Sequence, residues 1–224
     1  MQSCPPLPAE LPPAAAFDVR LHGCDADRDA VEAYIARRYA RCHGAHIDVF
    51  MPQLLVAGQG HRHAAAVGLR PAGPQPLFLE QYLDGPVEAA LAAGLRQPVE
   101  RAQAVEIGNL AVSNRLAGQL LITLLIEALR GAGFRWLVFT ATRPVRALVQ
   151  GLGFPLETLA AADPARLGVA RAAWGRYYEA EPRVMAGDLA AGVAHIRAEP
   201  SLVAMTQAHL PTLARLLPAL QPAR

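Results

Sequence analysis

VEIGNLAVSNRLAGQLLITLLIEAL, residues 105–129, joins a strand to a helix through a turn, and the fold hangs on how that junction is understood. The segment Ala104 to Val112 alternates as a strand does, yet it carries Glu106 near its start and Asn109 at its middle. From Gly118 the pattern changes to an almost wholly apolar helix running to Arg130. A carboxylate on such a strand costs roughly several kcal/mol unless it is paired, so something is expected to use Glu106. In a regular strand Asn109 faces away from Glu106, because side chains alternate.

Beyond this unit, RWLVFTAT (Arg135 to Thr142) reads as a second strong strand, and RPVRALVQGLGF as a short helix opened by Pro144 and stopped by glycines. Upstream, FDVRLH (Phe17 to His22) suits a first strand, and Val31, Tyr34, Ile35 and Tyr39 recur at helical spacing. LLVAGQGHRHAAAVGLRP reads as a hairpin around Gly58 to His63, and a helix opens near Pro86. Downstream, DPARLGVARAAWGRYYEAEPRVMAG predicts a helix and holds the aromatic cluster Trp174, Tyr177 and Tyr178. From Glu199, leucines at 210, 213, 217 and 220 predict one amphipathic helix interrupted by Pro218. This order predicts an α/β sheet with mixed strand directions. It divides the chain into a Pro/Ala-rich flexible tail (1–16), one domain (17–198) and a C-terminal helical extension (199–224), a cap or a homodimer contact.

At 53% hydrophobic and 18% charged, the 224 residues can bury a sizeable core. The 21 basic residues are all arginine, and a net charge of +2 is too small and too scattered for a nucleic-acid footprint. Cys4, Cys24 and Cys42 are odd in number and lack CxxC spacing, which argues for a reducing, cytoplasmic compartment. No secretion signal is read at the N-terminus, and the apolar run Leu120 to Ile126 is far shorter than the ~20 residues of a membrane span. His43 and His46, and His61 and His63, have metal-compatible spacings without a third ligand, so no metal is expected. Ser3, Ser113 and Ser201 lack a GxSxG setting.

EIGNLAV, Arg115-Leu-Ala-Gly118, LLITLLIEAL, RWLVFTAT and ALVQGLGF, in that order, resemble the cofactor-binding half of GNAT acyltransferases. The resemblance implies a GNAT-like mixed, mostly antiparallel central sheet flanked by helices on both faces. It also implies that amides before the long helix hold the pyrophosphate of coenzyme A, as free N–H groups at a positive helix end favour an anion. Two positions depart from the family: Leu120 stands where a second small residue is usual, and Val149 where the general-acid tyrosine is usual. FLEQYLD, VEIGNLA, FTAT, DP with WGRYYE, and a late P-x-V-x-x-G resemble the thermostable haemolysin family from about Leu21 to Gly187. Glu106 and AVGLRP (Ala66 to Pro71) are more distantly similar to acyl-homoserine-lactone synthases, which move an acyl chain from acyl carrier protein to an amine.

These resemblances imply a coenzyme A thioester or acyl-phosphopantetheine co-substrate and a small-molecule amine acceptor. Glu106 is the expected general base, with a structural ion pair to Arg70 or Arg143 as the alternative. Tyr177 or Tyr178 would stand in for the acid absent at Val149. Leu110, Val112, Arg115, Leu116, Ala117, Gly118, Thr140 and Thr142 are the expected cofactor contacts, with the arginine fork and backbone donors meeting phosphate. Glu80, Tyr82, Asp84, Asn109 and Trp174 are the expected acceptor contacts. The sequence leaves two rival readings open: a membrane-active haemolysin, and a GNAT-like binding module without chemistry.

Overall fold

The computed structural model describes residues 17–151 and 153–220, with Leu148 by its backbone alone; the tail read at 1–16 lies outside the described residues. The strands are β1 (Asp18–His22), β2 (Gln53–Gln59), β3 (Arg62–Pro71), β4 (Ala104–Val112), β5 (Trp136–Ala141), β6 (Glu157–Ala161) and β7 (Arg183–Asp188). The helices are α1 (Arg28–His43), α2 (Val87–Leu95), α3 (Arg115–Gly131), α4 (Arg143–Gly151), α5 (Leu189–Ala198), α6 (Pro200–Ala208) and α7 (Leu210–Leu216). The seven strands form one sheet in the order β1-β2-β3-β4-β5-β7-β6. Every neighbouring pair is antiparallel except β4 and β5. This is a GNAT-like mixed sheet.

Both faces of the sheet are covered, as strand alternation requires. On β5, Leu137 and Phe139 pack into the large core with the leucines of α3, while Trp136 and Val138 pack with Leu91 of α2 on the other side. Val31, Tyr34 and Ile35 of α1 cover Leu54, Val56, Ala66 and Ala111. The C-terminal leucines do not stand apart. Leu202, Leu213, Leu216 and Leu220 belong to the same core as α3.

The structure differs from the sequence reading at several elements, helix α5 among them, which the sequence reading lacks. The long helix begins at Arg115, not Gly118, because Asn114 caps it: its Oδ1 accepts the Ala117 N–H at 3.0 Å. The expected helix over the aromatic segment is two 3₁₀ stretches, Pro164–Trp174 and Tyr177–Ala180, the first kinked at Gly168 (φ 55°). The single C-terminal helix is α6 and α7, broken at His209 before Pro211. Strands β6 and β7 are absent from the sequence reading, and β7 lies between β5 and β6.

Two irregularities on β4 open the cleft of the molecule. Its pairing with β5 runs only from Ala104↔Trp136 to Ile107↔Phe139, after which the parallel strands part. Against β3, Gly68 faces Gly108 but Ala66 faces Ala111, so three steps of β4 span two of β3. That is a bulge, and Asn109 takes the left-handed conformation within it (φ 50°).

Candidate active site

Where β4 and β5 separate, two cavities meet. The first is mostly apolar; Leu110, Ile122, Ile126, Phe139, Val149 and Phe154 are among its walls. The second holds Glu106, Arg70, Asn109 and Trp174, roofed by residues 46–51. Tyr39, Ile107, Gly108, Thr140 and Tyr177 line both, so they mark the junction.

Glu106 is 2% exposed. It has no ion pair among the described residues: Arg143 pairs with Glu181 instead. Its Oε2 accepts the Phe78 N–H at 2.8 Å and its Oε1 the Leu79 N–H at 2.9 Å. Those amides open the 3₁₀ helix Phe78–Tyr82, so the helix start holds the carboxylate in one orientation. Burial pushes its pKa up to about 7, against the opposing pull of the two amides and of Arg70. A carboxylate with two spare lone-pair positions, titrating near neutrality at a cavity wall, is suited to take a proton from a bound amine.

The bulge corrects the placement of Asn109. It lines the same cavity as Glu106, not the opposite face. Its Oδ1 accepts the Met51 N–H at 2.8 Å and its Nδ2 donates to the Val49 carbonyl at 3.4 Å, tying the roof to the strand. Gly68 and Gly108 make room for that roof: a Cβ on either would sit 2.6 Å from a Met51 side-chain atom.

Among the expected acid candidates, Tyr177 is at the junction and Tyr178 lines neither cavity. Tyr177 is buried, donates its hydroxyl proton to the Thr140 carbonyl at 3.3 Å, and packs on Trp174 with ring centroids 5.0 Å apart. Burial holds its hydroxyl well above the usual range, so it stays protonated. Tyr178 shares a hydroxyl–hydroxyl hydrogen bond with Tyr82.

Thr140 and Thr142 line the apolar cavity, and the buried Thr140 Oγ1 has no partner among the described residues. Leu110 lines it as well. Val112 and Arg115–Gly118 line neither cavity; they form the end of β4 and the first turn of α3. The Arg115 and Leu116 N–H groups have no acceptor among the described residues, whereas Ala117 is capped by Asn114. Leu120 is fully buried in the core, so it does not occupy that helix end.

Three expected acceptor contacts lie elsewhere. Glu80 is a structural knot: it takes the Leu77 and Val87 N–H groups and pairs with Arg101, which also pairs with Glu88 at 2.8 Å. Asp84 is exposed and pairs with Arg166. Tyr82 is buried on the α2 side against Tyr178. Spacing within FLEQYLD cannot reveal this, because Arg101 and Arg166 come from distant segments.

Residues that the sequence reading missed include Tyr39 and His43, one turn apart at the end of α1. Their spacing puts them on one face, but nothing in the sequence aims that face at the β4–β5 cleft. His43 packs edge-on against Tyr177 with ring centroids 5.2 Å apart, and burial, aided by Arg176 and Arg38, lowers its pKa. The described residues contain no group of three or more His, Cys, Asp or Glu side chains fit to hold a metal.

The sheet, its parted parallel strands and the junction between them define a GNAT-like fold, and solved structures agree. FeeM, an N-acyl amino acid synthase from uncultured soil microbes, is similar with a TM-score of 0.57 and 16% identity, over 80% of this chain and 94% of that one. BjaI, a CoA-dependent acyl-homoserine lactone synthase solved with SAM and isopentyl-CoA, is similar with a TM-score of 0.53 and 15% identity, over 87% and 99%. TofI, in a ternary complex with an inhibitor and MTA, gives 0.53 and 14%, over 82% and 98%. At these identities the likeness is one of fold. The chain itself belongs to the thermostable hemolysin family, whose model matches residues 21–193. No curated protein matches it significantly in sequence.

Proposed function

We propose that the protein is an N-acyltransferase that moves an acyl group from a phosphopantetheine thioester, on coenzyme A or an acyl carrier protein, to an amine. One observation carries this reading: an apolar cavity and a cavity walled by a pinned, buried carboxylate meet where β4 and β5 part. The fold it shares with acyl-transferring enzymes supports it further.

In this reading the thioester carbonyl sits at the junction, with the acyl chain in the apolar cavity and the amine in the Glu106 cavity. Glu106 takes a proton from the bound ammonium. The freed amine attacks the carbonyl carbon, the C–N bond forms, and the C–S bond breaks. The new amide nitrogen gives its second proton to water. The departing thiolate takes the Tyr177 hydroxyl proton, Tyr177 recovers one from water, and Glu106 returns its proton to solvent. Thr140 Oγ1 offers the carrier arm a hydrogen-bond partner it otherwise lacks. The free amides of Arg115 and Leu116, with the Arg115 guanidinium, would meet the carrier's phosphates. Such donors are made in the cytoplasm, where the protein is proposed to act.

The walls of the first cavity favour a medium or long chain over acetyl. A long-chain N-acyl amine is an amphiphile, so the lytic effect in the family's description would follow from the product. Incubation with a panel of acyl-CoA and acyl-carrier donors plus amines, followed by thiol release and mass spectrometry, tests the reading. Amine-dependent thiol release is expected; no release from any donor by folded protein would overturn it.

A further inference from the structure

The acceptor cavity contains an unused cation. Arg70 lines it, half-buried, and among the described residues forms no hydrogen bond and no ion pair. It is not far from an anion: Arg70 and Glu106 are directly opposed partners across β3 and β4. Opposed residues project from the same face with Cβ atoms about 4.5–5.5 Å apart. A guanidinium so close to a buried carboxylate ordinarily closes on it. Here Glu106 is turned away and held by the Phe78 and Leu79 amides, so the two charges face the cavity side by side without pairing.

We infer that the acceptor is an α-amino acid with an apolar side chain: Arg70 binds its carboxylate while Glu106 receives its ammonium. An α-amino acid carries both charges on one carbon, which matches two opposite charges on adjacent strands of one face. The planar fork of arginine suits a carboxylate in two-point contact. Around this pair the cavity walls are Tyr39, Ile47, Phe50, Phe78 and Trp174, which leaves an apolar and largely aromatic space for the side chain. Besides its tyrosines, the remaining ionisable groups at this cavity, His46 and Asp48, are both exposed, where solvent screens them. A plain alkylamine would leave Arg70 without a partner.

This inference rests on the acyltransferase reading, and a matched pair separates the two. L-phenylalanine and phenethylamine differ only by the carboxylate. With the best thioester donor, the protein is expected to prefer phenylalanine by roughly 10- to 100-fold in kcat/KM, the range of a charge-assisted contact. Arg70→Met should bring the two acceptors within about threefold of each other, by loss on phenylalanine. Equal use of both acceptors by the unaltered protein, or an equal loss on both in Arg70→Met, would overturn the inference and leave the acyltransferase reading standing. If no donor is consumed, that reading fails, and calorimetry without donor decides this one. Tighter binding of phenylalanine than of phenethylamine, lost in Arg70→Met, upholds it; no difference overturns it.

Discussion

Glu106 binds its proton more tightly in the folded protein than in the unfolded chain, and this has two consequences. As a base it must be ionised, so kcat/KM should rise with pH as a single titration centred near 7. Glu106→Gln should lower kcat/KM by roughly 10²–10⁴ and flatten that limb; a retained limb would assign it to another group. The stability effect has the opposite sense. Between the ordinary carboxylate range and about 7 the folded state holds the extra proton, so stability falls as pH rises through that window. Urea titrations at pH 5 and pH 8 should show the unaltered protein losing stability relative to Glu106→Gln. Glu80 behaves differently: burial would raise its pKa, but Arg101 and two amides together hold it below the usual value. Arg101→Ala should cost about 2–3 kcal/mol in urea unfolding, below a fully buried pair because both groups keep some solvent contact. The difference between these two carboxylates was only half legible in sequence. An isolated carboxylate inside an apolar strand announced Glu106, but both Glu80 and Asp84 looked the same until their arginines came from elsewhere in the chain.

The elements with strong local patterns were legible. The 105–129 unit, the β2–β3 hairpin, α1 and β5 follow from periodicity, caps and glycines. The bulge on β4 was not, because it depends on register with β3, and it reversed the expected side of Asn109. Strands β6 and β7 were not legible, because their assignment depends on pairing with each other and with β5. The apolar cavity was invisible for the same reason: its walls come from β4, β5, α3, α4 and α5. Where α5 meets α3, Gly192 is the narrow point, as a Cβ there would sit 3.0 Å from Ile126 Cγ2. Gly192→Val should therefore reduce kcat/KM for a dodecanoyl donor by roughly tenfold or more while sparing acetyl. Equal losses on both donors would place the acyl chain elsewhere.

For the whole molecule, the question is how a family described by haemolysis relates to this architecture. No helix among the described residues is long and apolar enough to cross a membrane. If the lytic agent is the amphiphilic product, dye release from phosphatidylcholine vesicles should require donor and amine together, and should survive boiling of the completed reaction. Release by the pure protein alone would favour direct action on the membrane. Beneath both outcomes lies a narrower proposition, that the gap between β4 and β5 receives an acylated carrier arm. A crystal structure with a non-cleavable thioether analogue of dodecanoyl-CoA is its sharpest check. The chain is expected among Ile122, Ile126 and Phe154, and the carbonyl beside Thr140 and Tyr177. A ligand bound outside that gap, or no binding by well-folded protein, would refute it.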